Sequence, residues 1–394
     1  MAISTSDTAA STRTIGFELL HKLSVPGENL CISPASISCA LQLALAGAGG
    51  QTAQEMLGMM GITAPNRKQL ANDCASLLQA LQSAAPASSY EGPGANLQFR
   101  MANSIWAHRK VQLSPDFKAT LATKYGADSN NIDFADPESL KQINDWVSGK
   151  TAGKIPSIIN SLSPDNLLVL INCAYFKARW ALEFNKNETV PHDFTLAQSR
   201  TISVPMMVHK NVRLGYFHDR NMQVANLPYT DDRFSMYIIL PAAGVDITTL
   251  VTQLSPSLWD HVCSKLQEHQ GKFAMPRFRI NFGGELKQVL QSMGMQQAFT
   301  PEADFWRMFA SGEDVPRPPF FLIDRVVHKT FIDVDEQGTE AAAATAILGW
   351  GAGLPPAVPP FEMIVDRPFM FVLQENVSQT MLFAGVVTEP KTDA

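Results

Sequence analysis

The sequence has few cysteines, and none of them stands in a pattern that binds a metal or builds a disulfide scaffold. The five cysteines are odd in number and widely scattered, with no CxxC pair (Cys31, Cys39, Cys74, Cys173 and Cys263). Such a distribution argues against a disulfide framework and against a zinc site. Most of these cysteines are expected to be buried as small hydrophobic residues.

Long apolar segments and an excess of basic charge are also missing. No run approaches the roughly 20 apolar residues of a membrane span. The 31 basic and 37 acidic residues give a net charge of −6, so no nucleic-acid footprint is expected. The opening MAISTSDTAASTRT lacks the apolar core of a signal peptide. For the chain as written we therefore expect an intracellular location, with the extracellular space as the alternative.

Catalytic motifs are absent as well. The chain carries no HExxH, GxSxG, GxGxxG or SxxK motif in the context that each requires, and its eight histidines are dispersed. Gly149-Lys150-Thr151 lacks the upstream glycine and the strand–loop–helix order of a phosphate-binding loop. Ser33, Asn172 and His328 superficially suggest a hydrolase triad, but Ser33 precedes a proline and lies outside any strand–turn–helix elbow. The sequence does not predict an enzyme.

One stretch near the C-terminus stands out, because it carries no charge from Ala341 to Pro360. Loops of this length are uncommon in compact domains and are usually functional or disordered. An uncharged, alanine-rich loop is unusual because loops normally lie in water.

Read as a strand, this stretch has two distinct faces, since alternate residues point in opposite directions. One face carries only uncharged residues (Thr339, Ala341, Ala343, Thr345 and Ile347), and the single acid, Glu340, falls on the other. Such a segment can enter a sheet without burying an ion, which is very costly. On composition alone a helix is favoured, because alanine leads the helix scale. The other motifs of the chain reverse that preference.

The rest of the chain predicts one large domain. Hydrophobic residues make up 45% and charged residues 17% of the 394, and no linker, repeat or charge block divides them. We expect residues 1–12 to form a flexible tail and residues 13–394 to form the domain. Periodicity predicts helices over 14–23, 115–125 and 140–149 and from Gly284 to near Gly294, and strands over 97–106, 167–180 and 272–280.

Five motifs carry a resemblance to a known family. The segment EQGTEAAAATA resembles the hinge of the reactive-centre loop of inhibitory serpins, and MLFAGVVTEP resembles the serpin C-terminal strand. The segments CISPASISCALQLALAGAGGQTAQEML, NSIW and QINDWVSGKTAGKI are similar to further serpin motifs in the family's order. The resemblance covers roughly Ile15 to Pro390. It implies an α+β single-domain fold with three β-sheets, about nine helices and an exposed reactive-centre loop over about 336–362.

The resemblance also implies which residues act. The loop hinge would comprise Glu336, Gly338, Thr339, Glu340, Ala341, Ala342, Ala343 and Ala344. Arg277 would hold Glu336 at the base of the loop. Asn172 and His328 would hold the main sheet shut above Ser33 and Ser36, and Trp180 would lie where the loop enters.

The implied function is suicide inhibition of a serine protease by a monomeric chain, with no metal or other cofactor. The protease would cut the loop and form an acyl-enzyme, and insertion of the cut loop would trap it. No Lys or Arg occurs between Ala341 and Asp366, so elastase-, chymotrypsin- or subtilisin-like pockets fit better than a trypsin-like one. A heparin-type cofactor is not expected, because residues 65–95 contain only Arg67 and Lys68 as cations.

The scissile bond can be counted in two ways. Counting from the hinge Gly338 gives Ala352–Gly353, and counting back from Arg367-Pro368-Phe369 gives a position near Ala357. The hinge count is preferred because the mechanism constrains the length that inserts. The remaining candidates are Leu348, Trp350 and Leu354.

A second function within the same family is a non-inhibitory serpin that acts as a binding or carrier protein. Hinges of that type often contain bulky, charged or proline residues, whereas the hinge here is small, which favours inhibition. Gly349, Gly351 and Gly353 depart from the inhibitory pattern. Glycine weakens a strand, so these glycines are expected to slow loop insertion. A loop that inserts too slowly would be cut as an ordinary substrate, and the protease would not be trapped.

Overall fold

The structure is a computed structural model that describes residues 7–63, 66–83, 98–196, 199–230, 232–309, 320–339 and 359–392. The α-helices within these ranges are α1 (Asp7–Leu23), α2 (Pro34–Gly47), α3 (Gly50–Met59), α4 (Arg67–Ser83), α5 (Pro115–Tyr125), α6 (Pro137–Lys150), α7 (Ile247–Gln253), α8 (Pro256–Lys265) and α9 (Lys287–Ser292). Over the same ranges, no helix is both long and apolar enough to cross a membrane.

The strands in the described residues are β1 (Leu30–Ile32), β2 (Gln98–His108), β3 (Asp128–Ile132), β4 (Leu168–Arg179), β5 (Val190–Thr195), β6 (Thr201–His218), β7 (Met222–Pro228), β8 (Phe234–Pro241), β9 (Gln267–Pro276), β10 (Phe278–Glu285), β11 (Arg325–Asp335), β12 (Gly338–Thr339), β13 (Phe361–Ile364), β14 (Phe369–Glu375) and β15 (Thr380–Val387).

Hydrogen bonds join these strands into two sheets. The larger sheet has the order β1-β15-β14-β8-β7-β6-β9-β13, with β5 paired to β6. The smaller has the order β10-β11-β12-β4-β2-β3, and β11 also pairs directly with β4. The 18-residue β6 pairs with β5, β9 and β7 in succession. The described strands thus form two hydrogen-bonded sheets, where the resemblance implied three. The architecture is the predicted α+β class.

Both faces of the smaller sheet are buried at β4, because this strand is apolar on both faces. Its odd-numbered side chains, such as Ile171, pack with Ile143 and Val147 of α6. Its even-numbered side chains face the other way, where α2 packs against β4 and β2. Helix α2 is buried along almost its whole length, and its N-cap is Ser33, followed by Pro34. The alternation therefore points Asn172 at the N-terminal end of α2.

The predicted flexible tail over residues 1–12 is wrong for residues 7–12, because α1 begins at Asp7. Thr8, Ser11 and Thr12 are buried. The Ser11 and Thr12 hydroxyls donate to carbonyl oxygens three residues back within the helix, and Thr12 also accepts from the Met381 amide at 3.0 Å. The Ser/Thr-rich composition hid a helix whose hydroxyls bond to its own carbonyl groups and to neighbouring elements.

Two further predictions need correction. The strand predicted over 272–280 is two strands, β9 and β10, which belong to different sheets and meet at Arg277. Pro276 ends β9, since proline has no amide to donate, and the Arg277 amide donates to Pro205. The helix predicted from Gly284 to near Gly294 shortens to α9 mainly at its start, because its first residues complete β10.

Candidate functional site: the seam between two strands

The candidate site is the boundary between β4 and β11, which we call the seam. In the lower seam, Arg325–Phe331 pairs in parallel with Val169–Tyr175. In the upper seam the two strands separate and β12 lies between them, antiparallel to both. Thr339 is opposite Val334 on one side and Ala178 on the other. The sheet is therefore closed below and forked above, with the first two strand residues of the loop already in the fork.

A tight turn feeds the chain into this fork. Gly338 has φ +150°, and a Cβ at this position would lie 2.1 Å from the Ala178 carbonyl oxygen, so only glycine fits. The Asp335 carboxylate accepts from the Gln337 amide at 2.8 Å and from the Gly338 amide at 3.3 Å. Burial raises the pKa of Asp335.

The turn is anchored by the pair Glu336–Arg277, which we call the latch. Arg277 Nε donates to Glu336 Oε1 at 2.6 Å, and the Thr189 hydroxyl donates to the same oxygen at 2.5 Å. The Glu336 side chain is 1% exposed and the Arg277 side chain 36% exposed. The break between β9 and β10 places Arg277 at this point, so the expected contact is present.

Two stacked aromatic rings contact the chain in the upper seam. Trp180 and Tyr229 stack with their centroids 4.6 Å apart, and both are buried. Trp180 Nε1 donates to the Asp335 carbonyl at 2.9 Å. The Tyr229 and Thr339 hydroxyls share a hydrogen bond of 2.7 Å. Burial raises the pKa of Tyr229. Trp180 thus lies at the loop entry, and Tyr229 is a contact that the sequence reasoning missed.

A buried polar network spans the lower seam. The Ser33 amide donates to His328 Nε2 at 3.1 Å. Since Nε2 accepts, the proton of the neutral ring is on Nδ1, which donates to Asn172 Oδ1. The Asn172 amide group donates to the Ser36 hydroxyl and to Asn103 Oδ1, and Ser36 donates to the Cys173 carbonyl at 3.4 Å. Three strands and the start of α2 are joined through uncharged groups.

Burial lowers the pKa of His328 to about 3, so the ring is neutral at ordinary pH. Sequence reasoning missed Asn103, although a signal was present: Asn103 stands inside the strand MANSIW and pairs directly with Asn172. A buried amide needs a partner, and the opposite strand supplies one.

The same geometry does not assemble a hydrolase triad. His328 Nε2 accepts a hydrogen bond from the backbone amide of Ser33, whereas the Ser33 hydroxyl donates to the Leu382 carbonyl at 2.7 Å. No base therefore contacts this hydroxyl. In the part of the chain that the structure describes, no three His, Cys, Asp or Glu side chains are grouped to hold a metal ion.

The distal part of the predicted site lies outside the described residues. This applies to Glu340 and Ala341 to Ala344 of the hinge, and to all the scissile candidates: Leu348, Trp350, Ala352, Gly353, Leu354 and Ala357.

A sheet with a forked seam, entered by a small-residue hinge, defines the serpin class of fold. The family model for serpins, described as serine protease inhibitors, matches residues 10–390. This chain belongs to the serpin family. It is 34% identical over 374 residues to Serpin-Z1B of Triticum aestivum (92% of this chain, 90% of the relative). It is 33% identical over 382 residues to Iripin-1 of Ixodes ricinus (94% and 92%).

Solved structures agree with this assignment. Tengpin, a thermophilic serpin in the native state, superposes with a TM-score of 0.85 at 27% identity, covering 99% of this chain and 95% of that one. Human thyroxine-binding globulin, in a complex with its hormone, superposes with a TM-score of 0.84 at 24% identity, covering 98% and 100%. The second likeness shows the fold alone. The predicted family and fold class are confirmed.

Proposed function

We propose that this chain is a suicide-substrate inhibitor of serine proteases that traps an acyl-enzyme when its cut loop enters the seam. The observation that carries the proposal is β12, which pairs with β11 and β4 at once. A loop that begins inside the sheet needs only to continue in the direction it already has. The strand hydrogen bonds and buried side chains gained on insertion supply the driving force.

The existing register predicts where each further residue would lie. Thr339 lies between Val334 and Ala178, and each later residue moves one position down both neighbours. This count brings Thr345 between His328 and Asn172. The last pair of the lower seam, Arg325 with Val169, would receive Leu348.

Thr345 suits that position chemically. Insertion would separate His328 from Asn172 by the width of a strand, and buried polar groups need partners. Thr345 is the one hydroxyl beyond Thr339 on the face that would meet them, and a hydroxyl both donates and accepts. The loop would therefore supply a replacement at the position where insertion breaks the network.

The register also bears on the glycines and the scissile bond. Gly349, Gly351 and Gly353 all follow Leu348, so they would lie past the last strand pair and would not weaken the inserted strand.

The 14 residues from Thr339 to Ala352 span roughly 45 Å at about 3.3 Å each, slightly more than the 12 residues of β4. This length supports Ala352–Gly353 over Ala357.

The chemistry belongs to the protease. Its serine Oγ would attack the carbonyl carbon of Ala352, the bond to Gly353 would break, and the new amine would take the proton from the protease histidine. The ester would persist because insertion carries the attached protease away before water can attack. The chain would act as a monomer without a cofactor, on elastase-, chymotrypsin- or subtilisin-like targets.

The test is to mix the protein with pancreatic elastase, chymotrypsin and subtilisin, to run denaturing gels, and to weigh the released C-terminal peptide. We expect a denaturant-stable adduct and a peptide that begins at Gly353. A peptide that begins at another residue would assign the scissile bond to the position just before that residue. Complete cleavage without any adduct, with all three enzymes, contradicts inhibition of these classes and favours the carrier function.

A further inference from the structure

Two of the five cysteines meet in the core, far apart in sequence. Cys39 of α2 and Cys74 of α4 are both fully buried, and their sulfur atoms lie 3.2 Å apart, with Cys74 Sγ donating to Cys39 Sγ. All five cysteines are reduced in the structure. The spacing of 35 residues gave no signal in the sequence, because packing of α2 against α4 brings the two thiols together.

We propose that Cys39 and Cys74 form a disulfide bond under oxidising conditions, which makes them a redox modification site that joins α2 to α4. A disulfide has an S–S length of about 2.05 Å, so the sulfur atoms must approach by only about 1.2 Å. Two neighbouring side chains on packed helices can close that distance by small χ rotations. The site is independent of the seam, the latch and the loop.

The reaction balances as a thiol–disulfide exchange with a low-molecular-weight disulfide such as oxidised glutathione. The thiolate of one cysteine attacks the external disulfide, one thiol leaves, and the second cysteine displaces the other thiol from the mixed disulfide. The two cysteines lose two electrons and two protons, and the external disulfide is reduced to two thiols.

The folded environment controls when this reaction can occur. The neighbouring Cys39 thiol and burial both raise the pKa of Cys74, and the thiolate is the nucleophile. Because both sulfur atoms are also shielded from solvent, the closed dithiol resists external oxidants. The bond is expected to form during folding, or when α4 lifts from α2.

The bond would stabilise the uncleaved protein. It closes a ring that contains α3, and closing a ring restricts the unfolded chain. It would also fix α4 to the helix whose N-terminal end carries Ser33 and Ser36 beneath the seam.

The experiment refolds the full chain with oxidised and reduced glutathione, or with dithiothreitol alone. We expect the oxidised product to lose about 2 Da, to retain three of its five thiols in denaturant, and to yield a linked peptide pair containing Cys39 and Cys74. Its urea midpoint should exceed that of the reduced product, and dithiothreitol should reverse the difference.

Three variants complete the design. Cys39→Ala and Cys74→Ala should each lose the mass change and the midpoint shift. Cys263→Ala, a matched control in α8, should keep both. Five free thiols after oxidative refolding, a lasting glutathione adduct, or a link between any other pair would overturn the proposal. The wild-type comparison decides the matter even if an alanine variant does not fold.

Discussion

The two halves of the seam are held by different chemistry. The upper seam is already parted by β12 and is fastened at its margin by a charged pair, Arg277 with Glu336. The lower seam is intact, and neutral groups around His328 and Asn172 join its strands. Under the proposed mechanism, the loop already occupies the start of its path in the upper seam. Further insertion would have to break the hydrogen bonds that join His328, Asn172 and Ser36 in the lower seam.

The largest expected effect is in the upper seam. Thr339→Arg would place a charge at a fully buried position between two strands, which costs several kcal/mol. The loop should remain cleavable while inhibition fails. The number of inhibitor molecules needed to inactivate one protease molecule, which we call the inhibitor-to-protease ratio, should rise more than about tenfold. Titration of residual protease activity measures that ratio.

Thr339→Ser is the matched control for this change, because it keeps the hydroxyl that meets Tyr229. It should inhibit like the wild type. An unchanged ratio for Thr339→Arg would show that the loop does not enter through this fork.

The next effect is in the lower seam. Asn172→Ala removes the amide that joins Ser36, Asn103 and His328, and it leaves these buried groups without that partner. The free energy of unfolding of the uncleaved protein should fall by about 2–4 kcal/mol. Urea unfolding measures the change.

Asn226→Ala is the control for that loss. Within the described residues the Asn226 side-chain oxygen is buried without a hydrogen-bond partner, so its removal should cost little. Equal losses for the two variants would mean that the network adds nothing beyond ordinary strand packing.

A smaller effect is expected at the latch. Glu336→Lys replaces a buried carboxylate with a charge that repels Arg277, at a cost of about 1–3 kcal/mol, moderated because Arg277 is partly exposed. The variant should form polymers or an inserted, latent monomer on native gels. Glu362→Lys breaks the exposed pair with Lys272 and should leave the gel unchanged. If Glu336→Lys also stays monomeric and active, the latch does not hold the loop.

The smallest effect, taken at pH 5.5, is a pH dependence of the lower seam. Burial lowers the pKa of His328 from 6.5 to about 3, so between these values the unfolded chain binds more protons. Stability is complete above pH 6.5 and declines as the pH falls towards 3, by about 1.4 kcal/mol at pH 5.5. His328→Gln should remove that part of the slope in urea unfolding, while His209, whose pKa burial lowers to about 4, keeps its own. If the wild type and His328→Gln show the same dependence of stability on pH, His328 is not the group responsible.

How much of this was predictable depends on whether a feature is local. The apolar run of β4 is a local pattern, and the strand appears as predicted. The fork was not predictable, since its two neighbours, Ala178 and Val334, are far apart in sequence. Arg277 was found by resemblance, yet its position depends on a strand break that periodicity missed. Tyr229 and Asn103 act only through partners that the fold supplies.

The most direct test of loop insertion is a melting scan before and after cleavage within residues 341–358. An inserted strand of about ten residues adds hydrogen bonds worth roughly 1 kcal/mol each, so the melting midpoint of this 394-residue chain should rise by about 10 °C or more. The Thr345→Val variant lacks the hydroxyl expected between His328 and Asn172, so cleavage should raise its melting midpoint less. Cleavage should raise the midpoint of Thr345→Ser as much as that of the wild type. A cleaved protein that melts at the temperature of the intact one would contradict insertion and, with it, the inhibitory mechanism.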